Sequence, residues 1–433
     1  MTEVHKYSAW ILYALIGGVF LTLAVSYPAV YVRMTYEDMY GEWLQTWLFA
    51  AVFVLAIPLA RRRWAYRWFF GLLALAGLYT FMEEISWGQR LFAIESPEFF
   101  AQNNSQGETN LHNFFTGPES TLLKDLIEYT LACGLIGYGL LYPLLLKLGW
   151  RPAHWLKQLG IAAPPLYLWV FFVTAAFLEV GWFKFNEAEV AEILVGTALV
   201  LMLLHYRLAA EVAAPLREIA LTNAVESLRC GRSYLGVFAL LVGLAYLTTT
   251  VFYSLPGRAE GIDARLARGF DKFAGRMEKR GRWEQAADLY LSGFELGPQN
   301  LPMLHKALAV FQEAGDEASY QAYYRIMLDT TAAELAAKDG SVENLLMLAT
   351  NYADIGDVAV SSDYSEQALA IAVELVAVSP GESESYYWLG RVYQQRADGA
   401  EARQAYQQAL AMEPGRSRYI LALRSLPSVE PEL

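Results

Sequence analysis

Apolar residues crowd the first 255 positions in runs of about 18 to 23, broken by short polar or basic stretches, and then the pattern stops. A run of that length, coiled at 1.5 Å per residue, crosses a hydrocarbon layer about 30 Å thick. Seven runs qualify: residues 9–31, 43–60, 68–88, 122–146, 163–182, 188–206 and 234–254. From about residue 258 onward the chain reads as soluble sequence. The expected fold class is all-α. A seven-helix transmembrane bundle occupies 1–256, with an outer-face loop at 83–121, and a soluble domain occupies 257–433.

The loops orient these spans. Arg61, Arg62, Arg63 and Arg67 separate spans two and three. Lys147, Arg151 and Lys157 separate four and five, and Arg207, Arg217, Arg229 and Arg232 separate six and seven. The alternate loops are poor in bases. Basic loops stay cytoplasmic, so the expected topology is a multi-pass inner-membrane protein with a cytoplasmic N-terminus. An odd span count puts the C-terminal domain outside, in the periplasm of a Gram-negative cell. The opening MTEVHKYSAW leads into a long apolar run with no clear cleavage site, which reads as a retained first helix. Segment 208–229 reads as an amphipathic helix on the inner surface.

Composition agrees with embedding: 55% of residues are hydrophobic, and the mean hydropathy is +0.24. The net charge is −12, most of it in the C-terminal part, which argues against nucleic acid as a partner. The expected partners are the lipid bilayer and a protein. Cys133 and Cys230 are poorly placed to pair, so no disulfide framework is implied.

The soluble part repeats. In SESYYWLGRVYQQRADGAEARQAYQQALAMEPGR, residues 383–416, Gly390 and Tyr393 occupy small and aromatic positions of one helix. Ala402, Tyr406 and Ala409 form a small–aromatic–small pattern in a second helix, and Pro414 follows it. Small residues let two helices approach, aromatics fill the space between units, and proline stops the second helix. This unit resembles a tetratricopeptide repeat. Ala286, Tyr290, Gly293 and Pro298 echo it upstream. The small positions Ala274, Leu308, Ala349 and Gly390 lie 34, 41 and 41 residues apart. Four helical hairpins over 263–416 are expected, the middle two with longer helices or connections. The resemblance implies a concave face that binds a protein, a peptide or occasionally a glycan, and it names no partner.

Acids cluster by depth at the outer ends of spans three to six. Asp125, Glu187 and Glu189 begin helices, where the dipole favours negative charge, and Asn186 with Glu189 fits a capping pattern. Glu83, Glu84 and Glu179 end helices, where the dipole opposes them at the edge of hydrocarbon. Glu128 and Glu192 lie deeper. Such acids need a pairing cation, a metal, a proton or water. Three resolutions follow. Arg90 pairs with one of them; or a divalent metal ion is shared among Glu83 or Glu84, Glu108 and His112, the last two four residues apart; or some acids are protonated. The competing reading of His112 is a hydrogen-bonded loop residue.

The stretch from Glu83 to Phe115 mixes aromatics with amides and suits either a ligand rich in hydroxyls or phosphate, or a re-entrant plug whose amides satisfy one another. It resembles segments of polytopic bacterial membrane proteins of unassigned activity, which carries no function with it. Candidate binding residues are Gln89, Arg90, Asn104, Gln106, Asn110, Glu179 and Glu192; candidate catalytic or metal-binding residues are Glu83, Glu84, Glu108 and His112. Gly-rich phosphate loops, HExxH, CxxC and GxSxG are absent. Two functions fit: an envelope scaffold or assembly factor recruiting a partner through the repeats, or a membrane-embedded enzyme whose outer-face acids act on a lipid or lipid-linked substrate.

Overall fold

The computed structural model describes residues 2–62, 64–92, 94–103, 109, 122–212, 222–297, 300–338 and 340–427. Every regular element among them is helical. The chain divides into two compact units, Met1–Phe273 and Ala274–Leu433.

The first unit contains α1 (Thr2–Ser26), α2 (Pro28–Thr35), α3 (Tyr40–Arg61), α4 (Arg67–Glu84), α5 (Gln89–Phe92) and α6 (Glu98–Asn103). There follow α7 (Leu122–Ile136), α8 (Tyr142–Lys147), α9 (Arg151–Gln158), α10 (Trp169–Glu179), α11 (Glu187–Val212) and α12 (Thr222–Ser254). A π-helical turn, Gly137–Leu141, joins α7 to α8. Among the described residues, five stretches are long and apolar enough to cross a membrane: Lys6–Ser26, Pro28–Arg61, Lys124–Lys147, Glu187–Leu208 and Tyr234–Ser254. The other two expected spans fall short for physical reasons. Leu166–Glu179 is apolar but brief, and α4 has Arg67, Glu83 and Glu84 within its eighteen residues. Segment 208–229 is not a helix of its own: its described ends belong to α11 and α12, and the latter also takes in Cys230.

Helix α3 is the hub, packing against α2, α4, α11 and α12. Its Leu48, Val52, Ala56 and Leu59 recur at helical spacing and are buried. Large apolar side chains also point away from the protein on the outer helices, among them Leu21, Leu75 and Leu240. An apolar exterior around an apolar core suits a lipid surround.

Side-chain hydrogen bonds tie the helix ends into two groups. At one end three tyrosine hydroxyls donate to successive backbone carbonyls: Tyr142 to Ile161, Tyr138 to Ala162 and Tyr206 to Ala163, each at 2.8 Å. The Trp68 indole donates to the Leu159 carbonyl at 2.7 Å, and Trp10 to that of Tyr167 at 3.0 Å. In the non-helical IAAPP segment the carbonyls of Ile161, Ala162 and Ala163 are therefore satisfied within the protein. The opposite end gathers the starts of α3 and α11 and the ends of α4, α10 and α12. Asn186 donates to the Thr35 carbonyl at 2.6 Å, Phe185 stacks on Tyr31, and Trp43 meets Phe252 edge to face.

The division between units falls inside α13 (Arg258–Glu278). The rest of the second unit is α14 (Trp283–Phe294), α15 (Leu301–Ala314), α16 (Glu317–Lys338), α17 (Val342–Asp354), α18 (Val358–Val378), α19 (Ser383–Gln395), α20 (Gly399–Met412) and α21 (Ser417–Ser425). From α14 onward each helix packs against the next. The unequal spacing of the small positions has a simple origin. Helices α16 and α18 are 22 and 21 residues long, against 12 and 14 for α14 and α20. In the last hairpin, a Cβ on Gly390 would lie 2.5 Å from the Tyr406 ring. Only glycine lets α19 and α20 approach so closely there. Tyr406 is fully buried, and its hydroxyl donates to Gln394 at 2.6 Å.

Candidate functional site: an acidic cluster at one end of the bundle

Helix α4 ends at Glu84. Glu83 is buried and its carboxylate accepts a hydrogen bond from the Trp87 indole at 2.7 Å. The backbone then turns left-handed at three consecutive residues, Ser86 (φ 47°), Trp87 (φ 54°) and Gly88 (φ 86°). Each non-glycine residue in that region costs about 1 kcal/mol or more, so the surrounding structure must hold the turn in place. Ser86, the first of the three, is fully buried.

Glu84 lies within range of the charge on an acid of another helix. Glu192 of α11 feels the charges of Glu84, Glu189, Glu179 and Glu42. Glu189 in turn feels Glu42, Glu37 and Glu179. Carboxylates from α3, α4, α10 and α11 thus lie within range of one another's charge at one end of the bundle. The Gln45 side-chain amide donates both to the Glu189 carboxylate and to the Glu189 backbone carbonyl, each at 2.8 Å. At the edge, Lys124 pairs with Glu128 at 4.0 Å, and Glu128 lies within reach of the charge on Glu179.

Of the expected site residues, Glu84, Glu179 and Glu192 come together. Glu83 is turned towards Trp87. Gln89 binds its own loop: its amide nitrogen donates to Ser96 at 2.7 Å and its oxygen accepts from the Thr109 amide at 2.8 Å. Asn104, Gln106, Glu108, Asn110 and His112, with the Arg90 side chain, lie outside the described residues. Among the described residues, no group of three or more His, Cys, Asp or Glu side chains could hold a metal ion.

The acids at the start of α11 divide differently from expectation. Glu187 reaches back to the turn before α11: its carboxylate accepts from the backbone amides of Phe183, Lys184 and Phe185 at 2.5, 2.8 and 2.6 Å. Asn186 does not cap with Glu189, since its amide reaches across to α2 and its own φ is 60°. Glu189 faces the cluster. Two contributors, Glu42 and Gln45, escaped the sequence reading. Their signal was a spacing of three residues at the start of an apolar helix, which puts both on one face.

Arg265, in the part of α13 that belongs to the first unit, closes the same end. Its guanidinium bonds the buried Asp38 carboxylate and lies 4.0 Å from Glu37. Asp38 sits between α2 and α3 with φ 62°. Beside this pair, the Arg33 guanidinium lies over the Phe270 ring.

No protein-family model matches the chain. No curated protein matches it in sequence. Among solved structures, it is similar to a crystal structure of MamA protein at 17% identity and a TM-score of 0.21, covering 36% of this chain and 78% of that one. A second crystal structure of MamA aligns at 18% identity and a TM-score of 0.20, over 35% of this chain and 80% of that one. At those TM-scores the likeness carries no inference about function.

Proposed function

We propose that the chain is a multi-pass inner-membrane protein that presents a tetratricopeptide-like array outside the cytoplasm, as a scaffold or assembly factor for an envelope or surface-polymer process. The observation that carries this is the succession itself: an apolar helical unit with outward-pointing leucines, then tandem helices packed each on the next. The reading takes seven crossings, to which the two sets of helix ends lend support, and a cytoplasmic N-terminus, which rests on the basic loops alone. In hairpin arrays the first helices of the pairs line the concave side. Here α17 and α19 expose Met347 and Arg391, and Gln395 of α19 donates to Thr350 of α17 at 3.0 Å across that side. Photo-crosslinkers at Met347 and Arg391 should trap one discrete envelope protein, while one at Glu366 on α18 should not. Equal or absent trapping at all three positions would sink the scaffold reading.

A second reading is a membrane-embedded enzyme acting on a lipid or lipid-linked substrate. The convergence of Glu42, Glu84, Glu179, Glu189 and Glu192 beside a left-handed turn favours it. Glu108 and His112 complete that proposal, with Glu83 and a divalent metal ion as its remaining candidates. Glu84→Gln, Glu179→Gln and His112→Ala should each abolish cellular function while leaving the protein folded and membrane-inserted. Full function in all three would remove catalysis from consideration.

A further inference from the structure

The other end of the bundle carries a surface of opposite character. Helix α9 and the turn at 61–68 meet there: Trp68 donates to the carbonyl of Leu159, and a Cβ on Gly160 would lie 2.3 Å from the Ala65 carbonyl oxygen. Arg61, Arg62, Arg67, Arg151 and Lys157 are all exposed on these two segments, as is Lys147 at the end of α8. No Asp or Glu occurs from residue 43 to 82 or from 129 to 178. These segments therefore carry cations and no acid of their own.

Helix α9 also has three faces. Ala153 and Leu156, three residues apart, turn into the protein. Pro152, Trp155 and the following Leu159 share a second, uncovered face, and Trp155 is 58% exposed. Arg151, His154 and Lys157 lie on the remaining side. The preceding turn adds Leu148, 70% exposed, and Trp150. Exposed tryptophan and leucine beside exposed lysine and arginine on one short helix is the chemistry of an interface between acyl chains and anionic headgroups.

We propose that α9 and the turn that carries Arg61, Arg62 and Arg67 form a platform for anionic phospholipid headgroups, with Trp155 and Leu159 seated at the acyl boundary and Arg151, Lys157, Arg61, Arg62 and Arg67 on the phosphates. The proposal rests on the membrane-spanning reading above. Charge complementarity singles out the occupant, because an acidic protein would satisfy the cations and leave the tryptophan–leucine face uncovered.

The test uses the full chain reconstituted in phosphatidylcholine vesicles containing a minority of spin-labelled phosphatidylglycerol or spin-labelled phosphatidylcholine. Resistance to alkaline extraction first reads insertion; a chain that washes off overturns the membrane reading itself. In inserted protein, the phosphatidylglycerol label should be immobilised several-fold more than the phosphatidylcholine label at low salt. Molar salt should weaken that preference. Lys147→Gln with Arg151→Gln and Lys157→Gln should abolish most of it, and Lys147→Arg with Arg151→Lys and Lys157→Arg should preserve it, which separates charge from misfolding. Equal immobilisation of both labels, or a preference untouched by the glutamine variant in inserted protein, overturns the platform.

Discussion

Gln45 of α3 donates its side-chain amide to Glu189 of α11 twice, once to the carboxylate and once to the backbone carbonyl, both at 2.8 Å. Gln45 is only 1% exposed. One neutral side chain thus supplies two donors to the most crowded part of an acidic cluster. Gln45→Leu should destabilise the detergent-solubilised protein by about 2 kcal/mol, because it strips donors from an acceptor that stays buried. Gln45→Glu should cost more, since it adds a carboxylate where several already repel. Thermal unfolding of both variants measures this, and an unchanged midpoint for Gln45→Leu would mean that water replaces the amide.

Arg265 holds α13 to the segment between α2 and α3 through the buried Asp38. Replacing it with methionine keeps most of the stem and removes the charge. The expected loss is about 2 kcal/mol, the scale of a hydrogen bond to a charged group, and it should concentrate at residues 36–42 and 258–273. Hydrogen exchange should show faster amides there and little change at 159–163.

Gly390→Ala inserts a methyl group where the Tyr406 ring already stands 2.5 Å away. Overpacking should destabilise the last hairpin by about 1–3 kcal/mol. Tyr406→Phe should cost about 1 kcal/mol through the lost bond to Gln394. Exchange protection across α19 and α20 distinguishes a local from a unit-wide effect.

The last hairpin should also loosen in acid. Arg416, bonded to Glu413 at 2.8 Å, holds that carboxyl below the usual carboxylate range, with the Ser383 hydroxyl assisting. A group whose folded pKa is depressed contributes stability that is full above its unfolded pKa and fades as pH falls through the folded value. Protection in α19 and α21 should therefore decline below the ordinary carboxylate range. Glu413→Gln should flatten that decline and lower protection at neutral pH.

Much of the fold was legible because apolar run length and helical spacing are local properties. The four small positions in the repeats followed from them, whereas the span expected to run to residue 88 stops at Glu84, just before the left-handed turn. The unequal repeat spacing was visible as numbers, but only the lengths of α16 and α18 explain it. The cluster was half legible: Glu84 and Glu179 could be assigned to the same ends of their helices, with Glu192 somewhat deeper, from their places in successive spans. Which of them meet depends on rotation about each helix axis, and depth says nothing about that. Gln45 sits inside a strongly apolar run, where an amide gives no hint that its partner is 144 residues away. Asn186 matched a capping pattern, yet the neighbouring Glu187 reaches three amides at once and leaves the asparagine for another helix.

The π turn at Gly137–Leu141 amounts to one extra residue wound into an otherwise α-helical rod. Everything beyond it is rotated by about 100° relative to an uninterrupted helix. That rotation aims Tyr142 at Ile161 while Tyr138, inside the turn, serves Ala162. Gly139 sits at the same place, with the Phe172 side chain so close that no Cβ fits. Deleting a single residue there would make the helix more regular and the protein worse. Among chains descended from a common ancestor, this position should resist one-residue deletions more strongly than it resists substitutions of the exposed leucines around it.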